Sequence, residues 1–419
     1  MHILLIHQAF AALDEPGGTR HHEFARALAA RGHRVTVIAS PVSYMTGASS
    51  INVPPHLRRK WGESKRGVKM GGDTEEGGVR VLRAYTYRAL HKSFVHRVFS
   101  FVSFMASSFF IGLGVRNVDV VWGTSPPIFQ GFTAWLLARL KRAPFLFEVR
   151  DLWPQFAIAV GVLRNPLLIK LSLWLERFLY HRADRVMVNS PGYVAHVTER
   201  GARIVDLVPN GADPAMFDPA DEGHDFRSAN GLEDNFVVVY AGAHGMSNDL
   251  GVVLESASML AGPRAAVRIV FLGDGKEKSA LQEQAARLGL ANVLFLPPIP
   301  KTGMAGALAG ADACLAILKP LDEYKTTFPN KVFDYMAAGR PVVLAIDGVI
   351  RQVVEAAGCG IFAQPGDPKA LAAAIETMAA DPVRSRRMGL AGRTYLEEHF
   401  SRDKIAEKLL GVLNKMVRS

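Results

Sequence analysis

The chain has few cysteines and lacks several short motifs, and each absence narrows its possible function. Its 419 residues include two cysteines, Cys314 and Cys359, both in apolar segments without metal-ligand spacing. This scarcity excludes a disulfide-stapled scaffold and is typical of a reduced, cytosolic protein. The first six residues indicate a buried strand and not a secretion signal. The loop after them has no Gly-x-Gly-x-x-Gly run, which makes a dinucleotide oxidoreductase the least favoured enzyme class.

Acidic residues are also scarce relative to basic ones. The chain has 49 Lys and Arg against 39 Asp and Glu, a formal net charge of +10. Much of the excess lies in two clusters, which would attract either nucleic acid or an anionic membrane surface. No helix-turn-helix, zinc-finger or RNA-binding signature accompanies them, so we favour the membrane and expect no nucleic acid. The clusters are Arg58, Arg59, Lys60, Lys65, Arg66 and Lys69, then Arg80, Arg83, Arg88, Lys92 and Arg97.

The alternation of apolar segments predicts an α/β fold made of two doubly wound halves. The chain is long enough for two domains, and strand-like runs alternate with helix-like runs, which is typical of parallel sheets. The pattern restarts after residue 205, and the polar stretch 218–234 is interpreted as a linker. We therefore expect an N-terminal domain over residues 1–205, a C-terminal domain over 206–399 and a helical tail over 400–419. The predicted strands are His2–His7, Val35–Ala39, Asp119–Trp122, Pro144–Glu148 and Arg185–Val188, then Phe236–Ala241, Val267–Leu272, Val293–Phe295, Ala313–Ile317 and Val342–Ala345.

Two segments interrupt this alternation. Residues 45–79 are too long for an ordinary connection and indicate a functional or mobile loop. Residues 98–115 carry no charge and reach the length of a membrane-span candidate, yet Ser100, Ser103 and Ser107 place a polar stripe on one helix face. A fully buried helix, a helix embedded at the membrane surface and a true span are all open at this stage.

The most informative stretch is residues 328–343. Pro329 before an amphipathic run, and Gly339 after it, predict a short helix. The free N–H groups and positive dipole end of its first turn favour a bound phosphate. Lys331 adds a cation there, and Asp334, three residues on, shares its face. An ammonium for a diphosphate and a carboxylate for ribose hydroxyls would together bind a nucleotide; the alternative is an ordinary helix with a surface lysine.

These residues resemble the signature of the family 4 retaining glycosyltransferases, and in particular the L-fucosamine transferase branch of O-antigen and capsule clusters. The shared pattern, Pro-x-Lys-x-x-Asp-Tyr-x-Ala-x-Gly-x-Pro, runs from Pro329 to Pro341. The resemblance implies the GT-B fold, in which two Rossmann-like domains with parallel sheets face each other across the active-site cleft and a C-terminal helix crosses back to the first domain. Two positions depart from the family's Glu-x7-Glu pair. Asp334 is expected to keep the ribose contact, whereas Thr326 lacks the carboxylate that touches the donor sugar.

The resemblance also implies roles for residues at the ends of strands in the second half. His244 and Gly245 would help Lys331 to bind the donor diphosphate, in place of the arginine and lysine of typical relatives. Gly273 and Asp274 would lie near the base. A loop histidine such as His244 can also be incidental.

In the first half, Gly17 and Gly18 let the backbone approach a ligand, and in the family this loop borders the diphosphate and the acceptor. Arg150 and Asp151 close a strand, where ligands of parallel sheets bind, and by resemblance face the donor sugar or the acceptor. A simple turn and a structural ion pair are the respective alternatives. The residues expected to act in catalysis are Lys331, Asp151, Arg150 and His244. Those expected to bind the donor are Gly17, Gly18, Gly245, Gly273, Asp274, Asn330, Lys331 and Asp334.

The sequence is interpreted as a retaining glycosyltransferase of bacterial surface polysaccharide synthesis, such as O-antigen and lipopolysaccharide. It would move an N-acetylated hexosamine or a deoxyhexosamine from a UDP-sugar to a polyprenyl-diphosphate-linked or oligosaccharide acceptor. Cations and helix amides would stabilise the departing diphosphate. No metal or other cofactor is expected, because the chain has no Asp-x-Asp run. We expect a cytoplasmic protein, peripheral on the anionic inner face of the plasma membrane. A nucleotide-sugar 2-epimerase and a non-catalytic nucleotide or nucleic-acid binding protein are the alternatives.

Overall fold

The computed structural model describes residues 1–13, 15, 17–42, 72–76, 78–87, 94–261 and 267–417, in two compact units. The first unit comprises Met1–Asn189, Tyr193–Val208 and Ala406–Ser419, and the second comprises Ser190–Gly192 and Pro209–Ile405. The first basic cluster, Arg88 and Lys92 of the second cluster, and most of the segment 45–79 lie outside the described residues.

The first unit is built on an eight-stranded sheet. Its strands are β1 (His2–Ile6), β2 (Arg34–Ala39), β3 (Gly72–Glu76), β4 (Val79–Arg83), β5 (Val120–Ser125), β6 (Phe145–Val149), β7 (Arg185–Val188) and β8 (Val205–Leu207). They lie in the order β3-β4-β2-β1-β5-β6-β7-β8, and only β3 pairs antiparallel, with β4. The side chains of β1, β5 and β6 are all buried, because a parallel sheet is covered on both faces.

The second unit contains a six-stranded parallel sheet. Its strands are β9 (Phe236–Ala241), β10 (Val267–Leu272), β11 (Val293–Leu296), β12 (Ala313–Ile317), β13 (Val342–Ala345) and β14 (Gly360–Phe362). The order β11-β10-β9-β12-β13-β14 is that of a Rossmann domain. In this order successive strands are added first on one side of β9 and then on the other, so the strand order reverses between β9 and β12. The predicted pair of doubly wound halves is therefore confirmed, and ligands of such sheets bind at the carboxyl ends of the strands next to this reversal.

The helices cover both sheets. In the first unit they are α1 (Arg20–Ala30), α2 (Phe94–Gly114), α3 (Phe129–Lys141), α4 (Gln155–Ala159), α5 (Pro166–Arg182) and α6 (Val194–Glu199). The second unit adds α7 (His224–Asn230), α8 (Leu250–Leu260), α9 (Lys278–Arg287), α10 (Met304–Ala309), α11 (Asn330–Ala337), α12 (Val349–Ala356), α13 (Pro368–Ala380) and α14 (Pro382–His399). The last helix, α15 (Arg402–Val417), begins in the second unit and belongs to the first from Ala406 onward, where Glu407 pairs with Arg31 at 2.5 Å. The predicted crossing of the C-terminal helix is confirmed.

The polar stretch 218–234 is not a linker. It contains α7, and Leu232 is buried in the core of the second unit. The Arg340 guanidinium donates a hydrogen bond to the carbonyl of Asp221, which holds the start of the stretch in place. Two apolar residues, Phe226 and Leu232, are enough to dock the short helix on the core. Because the rest of the segment is polar, its sequence resembles a linker.

The uncharged segment 98–115 forms most of α2, a helix with one buried side. Among the described residues no helix is long and apolar enough to span a membrane, so the spanning interpretation is wrong. The serine stripe faces the protein: Ser100 is buried, and Ser107 donates a 2.6 Å hydrogen bond to the carbonyl of Tyr85. Phe104 is fully buried whereas Phe99 is 60% exposed, so the helix is not fully buried either.

Candidate active site

The first turn of α11 forms the centre of the candidate site. Pro329 has an extended backbone and starts the helix, while Val332 and Phe333 anchor it in the core. Gly339 has a φ of +65° and donates its N–H to Met336, which ends the helix as the sequence predicts. The helix follows β12, a neighbour of β9, so its N-terminus lies at the carboxyl edge of the sheet beside the reversal in strand order. Its free N–H groups and dipole favour an anion there.

The Lys331 ammonium is buried inside this turn. Its Nζ lies 3.9 Å from the centre of the Tyr240 ring and has no hydrogen-bond partner among the described residues. Burial lowers the pKa of Lys331 to about 7. A Cβ added at Gly242 would lie 2.7 Å from Nζ, so only glycine leaves room for the ammonium in this position. The result is an amine held close to the helix N-terminus, with no carboxylate paired to it among the described residues.

Asp334 is already paired within the second unit. Its Oδ1 lies 2.5 Å from Lys301 Nζ, and Asn330 donates an amide hydrogen bond of 3.3 Å to Oδ2. Lys301 also lies over the Phe217 ring, 5.5 Å from its centre. Sequence reasoning missed Lys301, although its position in the loop after β11, at the carboxyl edge of the sheet, was a usable signal. The carboxylate of Asp334 is thus fixed in direction on the same face as Lys331.

Two glycine loops bring the other predicted residues of this unit together. The loops after β9 and β10 pack backbone to backbone, and a Cβ at Gly273 would overlap the carbonyl oxygen of Gly242. His244 donates its N–H to the carbonyl of Asp274 at 2.8 Å. The Asp274 side chain accepts the N–H of Gly275 at 2.8 Å, so it shapes the turn. Gly245 follows in the same loop.

The His244 side chain is buried and neutral. Its ring packs at centroid distances of 6.1 Å from Tyr240, 5.9 Å from Phe271 and 6.2 Å from Phe295. Burial, aided by the charge of Lys278, lowers its pKa to about 4. Neither ring nitrogen has a hydrogen-bond partner in the described part of the chain. A neutral imidazole offers one N–H donor, so any contact with a phosphate would be a hydrogen bond and not an ion pair.

Thr326 is partly exposed and is held by hydrogen bonds to nearby residues. Its carbonyl accepts a 2.5 Å hydrogen bond from the Ser190 hydroxyl, and its own hydroxyl donates to Glu323 at 2.6 Å. A Cβ at Gly192 would lie 2.6 Å from the Cα of Thr326. Thr326 therefore packs against segment 190–192 within the second unit.

In the first unit, Arg150 and Asp151 lie directly after β6, at the carboxyl edge of that sheet. Arg150 donates a 2.8 Å hydrogen bond to the carbonyl of Pro126. The Asp151 residue has exposed surface, but protein atoms crowd its carboxyl group, and this desolvation raises its pKa to about 6, against the charge of Arg150. No ion pair joins the two residues in the described structure, which does not support a purely structural pair. Gly17 and Gly18 are exposed in the loop between β1 and α1.

Sequence reasoning missed a buried polar network beside these residues. The Glu148 carboxylate lies 2.6 Å from His21 Nε2 and accepts hydrogen bonds from Arg20 at 3.0 Å and Trp122 at 3.2 Å. Burial alone would raise the pKa of Glu148, but its contacts with His21 and Arg20 lower it to about 2. Burial lowers the pKa of His21 to about 4 despite Glu148. The sequence contained a signal for this network, because the polar residues Arg20 and His21 closely follow the Gly-Gly pair that was assigned to ligand binding.

Two family models match the chain. The model described as a glycosyl transferase 4-like domain matches residues 17–211, and the model for glycosyl transferases group 1 matches residues 235–381. Among curated proteins, the chain is 24% identical over 401 residues to one named as colanic acid biosynthesis glycosyl transferase WcaI of Escherichia coli, covering 93% of each chain. It is 25% identical over 297 residues to a glycosyltransferase named WbjE of Pseudomonas aeruginosa, covering 68% of this chain and 72% of that one.

Solved structures share the fold over the whole chain. Sucrose-phosphate synthase from Thermosynechococcus elongatus has a TM-score of 0.77 at 18% identity and covers 99% of this chain and 98% of its own. HepE of Anabaena, solved with UDP-glucose, has a TM-score of 0.70 at 17% identity and covers 99% of this chain and 100% of its own. The family matches span both units. The chain therefore belongs to the glycosyltransferases of the family 4-like and group 1 type, has the GT-B fold and is a hexosyltransferase.

Proposed function

We propose that this enzyme transfers a sugar from a UDP-sugar, with retained anomeric configuration, to a lipid-linked glycan acceptor in surface polysaccharide synthesis. The observation that carries the donor proposal is the unpaired, buried ammonium of Lys331 at the first turn of α11. A buried cation without a counter-ion is costly, and an arriving diphosphate would supply the missing negative charge. HepE, a structural neighbour, was solved with UDP and with UDP-glucose, which supports the choice of donor.

The proposed roles follow from the contacts in the second unit. Lys331 and the N–H groups of α11 would stabilise the diphosphate as negative charge develops on it during transfer. Asp334, oriented by Lys301 and Asn330, would accept hydrogen bonds from the ribose hydroxyls. Neutral His244 would act as a donor only after a small movement of its loop, since both ring nitrogens are enclosed.

The acceptor proposal depends on the relatives and on the first unit. WcaI is named for colanic acid biosynthesis, which supports a role in polysaccharide synthesis. We assign Arg150 and Asp151 to acceptor binding, because both lie after β6 and the Asp151 carboxyl has a pKa near neutrality. A carboxyl of this kind can both accept and donate a hydrogen bond to a sugar hydroxyl. We propose an N-acetylated hexosamine or a deoxyhexosamine as the donor sugar, and we propose that transfer needs no metal.

Peripheral attachment to an anionic membrane is proposed for α2. Four of its apolar side chains are exposed at a spacing that places them on one helix face: Phe99 by 60%, Val102 by 53%, Phe110 by 66% and Leu113 by 44%. An apolar stripe on a helix that does not span the membrane is the usual form of an interfacial anchor. This location would bring the enzyme to a lipid-linked acceptor on the cytoplasmic face.

Thermal-shift titration with UDP, GDP and ADP and their sugar conjugates tests the donor proposal, with and without magnesium. We expect the melting temperature to rise with UDP, since a ligand that binds the folded state stabilises it by mass action. The rise should be strongly reduced, but still measurable, in Lys331→Met and should persist in Lys369→Met, which removes an exposed lysine on α13. If none of the nucleotides raises the melting temperature, the proposal is refuted.

Product analysis separates transfer from the alternatives. Transfer predicts UDP release that accelerates with a polyprenyl-diphosphate-linked acceptor, and NMR of the product should show the donor's anomeric configuration. Release of a free epimerised nucleotide sugar without acceptor would instead identify a 2-epimerase.

A further inference from the structure

The outward face of α5 carries a second apolar stripe that the proposed function does not use. Leu167 is 64% exposed, Leu171 is 52% exposed and Trp174 is 58% exposed. Their spacing of four and three residues places all three on one face of the helix. Single exposed apolar residues are ordinary on protein surfaces, but three in a row on one helix, including a tryptophan, mark an interaction surface.

The charges around this stripe have one sign. Lys170 and Arg177 are exposed and, at helical spacing, lie together along one edge of it. The single acid of α5, Glu176, is fully buried and is bonded to His196 at 2.8 Å and Arg200 at 3.1 Å. The exposed surface of the helix therefore combines apolar side chains with cations and no exposed carboxylate. This combination fits an anionic lipid surface, in which acyl chains receive the apolar residues and headgroups attract the cations.

The tryptophan is held in its outward position by the protein. The Trp174 ring stacks on Phe178 at a centroid distance of 5.4 Å, and Phe178 packs edge-on against Trp135 of α3 at 4.8 Å. On the opposite side of α5, Leu179 and Tyr180 fill the core. The indole is thus supported from beneath by other rings and cannot fold into the core, which is already filled.

The α5 stripe belongs to the same helical layer as α2. Helix α3 contacts both neighbours: Phe129 stacks on Phe101 of α2 at 5.6 Å, and Trp135 packs on Phe178 of α5. Leu140, at the end of α3, is 57% exposed. One layer of three helices therefore presents exposed apolar side chains on each of its members.

We infer that α5 is a second contact with an anionic bilayer, placed beside α2 in one helical layer of the first unit. The inference builds on the membrane attachment proposed for α2, and it does not depend on which sugar is transferred. Two contacts on one rigid layer fix the orientation of the first unit on the bilayer, whereas a single helix leaves it free to roll about the helix axis. Attachment through α5 also adds affinity, because the two contacts bind as linked sites.

Trp174 provides a direct test in the full-length protein. The difference in fluorescence between wild type and Trp174→Phe isolates the emission of this indole from that of the other tryptophans. With vesicles of phosphatidylcholine and phosphatidylglycerol, we expect the difference spectrum to shift to the blue and to be quenched by brominated lipid. Pure phosphatidylcholine should give a weaker response. A Trp174 spectrum that stays unchanged while the protein still sediments with the vesicles would overturn the inference and leave α2 as the anchor.

Substitutions separate the contact from folding and from the donor site. Leu171→Ser with Trp174→Ser should weaken vesicle binding by about tenfold, given the apolar area removed. Lys170→Gln with Arg177→Gln should weaken binding to anionic vesicles by about fivefold or more and leave binding to neutral ones unchanged. Val383→Ser with Leu390→Ser, exposed positions on α14 of the second unit, should have no effect. The UDP thermal shift should be unaltered in all of them.

Two further outcomes decide against the inference. If the α5 variants bind vesicles like wild type, α5 does not touch the bilayer. If Trp174 becomes shielded at higher protein concentration without lipid, in step with dimerisation measured by ultracentrifugation, its partner is a second copy of the chain. A failure of the UDP thermal shift in wild type would instead count against the proposed donor, and would leave the vesicle result standing.

Discussion

Binding of UDP is predicted to take up a proton, because Lys331 has no counter-ion in the described part of the chain. Burial lowers the pKa of this lysine to about 7. Its Nζ has no hydrogen-bond partner among the described residues. A diphosphate next to the ammonium favours the charged form and would return the pKa toward the usual value of about 10.4. The side chain that is partly neutral before binding would then be fully protonated after it.

The size of the effect follows from that pKa. With a value of about 7, roughly half of the Lys331 side chains are neutral at pH 7 and about nine-tenths at pH 8. Binding should therefore take up about 0.5 proton at pH 7 and about 0.9 at pH 8. Above pH 8 the affinity for UDP should fall by up to about tenfold per pH unit. The reason is that UDP binds the protonated form of Lys331, and the fraction of this form falls about tenfold with each pH unit. Near pH 8 the UDP phosphate is already ionised, its second pKa being about 6, so it contributes little to the proton count.

Isothermal titration calorimetry at pH 8 measures this uptake. The heat of binding is determined in two buffers that differ in ionisation enthalpy, and the difference gives the number of protons exchanged. Lys331→Arg keeps its charge at all accessible pH values and Lys331→Met never has one, so both should abolish the uptake. Lys369→Met should retain it. Measurable UDP binding without proton uptake in wild type, or uptake that survives in Lys331→Met, would refute the reasoning.

Three other predictions concern the described structure. Gly242→Ala places a Cβ 2.7 Å from Lys331 Nζ at a φ of +148°, where backbone strain alone costs roughly 1–3 kcal/mol. Calorimetry should therefore show that the affinity for UDP falls by about tenfold or more. Unaltered affinity would contradict the described packing of Gly242 against Lys331. His21 is neutral in the folded state, where its pKa is about 4, so below pH 6.5 the unfolded state binds more protons than the folded state. The free energy of unfolding should therefore fall between pH 6.5 and pH 4, by up to about 1.4 kcal/mol per pH unit. Urea unfolding across this range should show a shallower slope in His21→Gln, and an identical slope would count against the assignment. Phe104→Ala should lower the free energy of unfolding by about 3–5 kcal/mol as a core deletion. Phe99→Ser should leave it within about 0.5 kcal/mol but reduce vesicle sedimentation, and a large loss of stability there would mean that this side chain is not exposed.

The strands and the helix of the candidate site could be read from the sequence because their signals are local. Apolar runs bounded by turn residues predicted ten of the fourteen described strands to within a few residues and missed β3, β4, β8 and β14, while Pro329 and Gly339 predicted the limits of α11. The polar segment 218–234 was misread as a linker, since its apolar anchors are too few to stand out from the surrounding charges. The orientation of α2 was also not predictable, because its serine hydroxyls bond to backbone carbonyls of Tyr85 and of the helix itself.

Contacts between residues far apart in the chain could not be predicted. The pair Lys301–Asp334 joins the segment after β11 to helix α11 after β12, and no periodicity links the two residues. The burial of His244 depends on Phe271 and Phe295, which come from two later strands. A histidine in a loop has the same appearance in the sequence whether its ring faces solvent or the core, so its charge could not be inferred.

The sequence by itself determined that the chain folds as two Rossmann-like halves. It also determined that a lysine lies in the first turn of a short helix between two strands of the second half. These properties depend on the spacing of apolar residues, prolines and glycines along short stretches. Only the tertiary structure decided that the Lys331 ammonium lies over the Tyr240 ring, beside Gly242, without an anion. The physical reason is that desolvation and pairing are set by whichever distant segments the fold brings into contact, and these set the pKa on which the proposed chemistry depends.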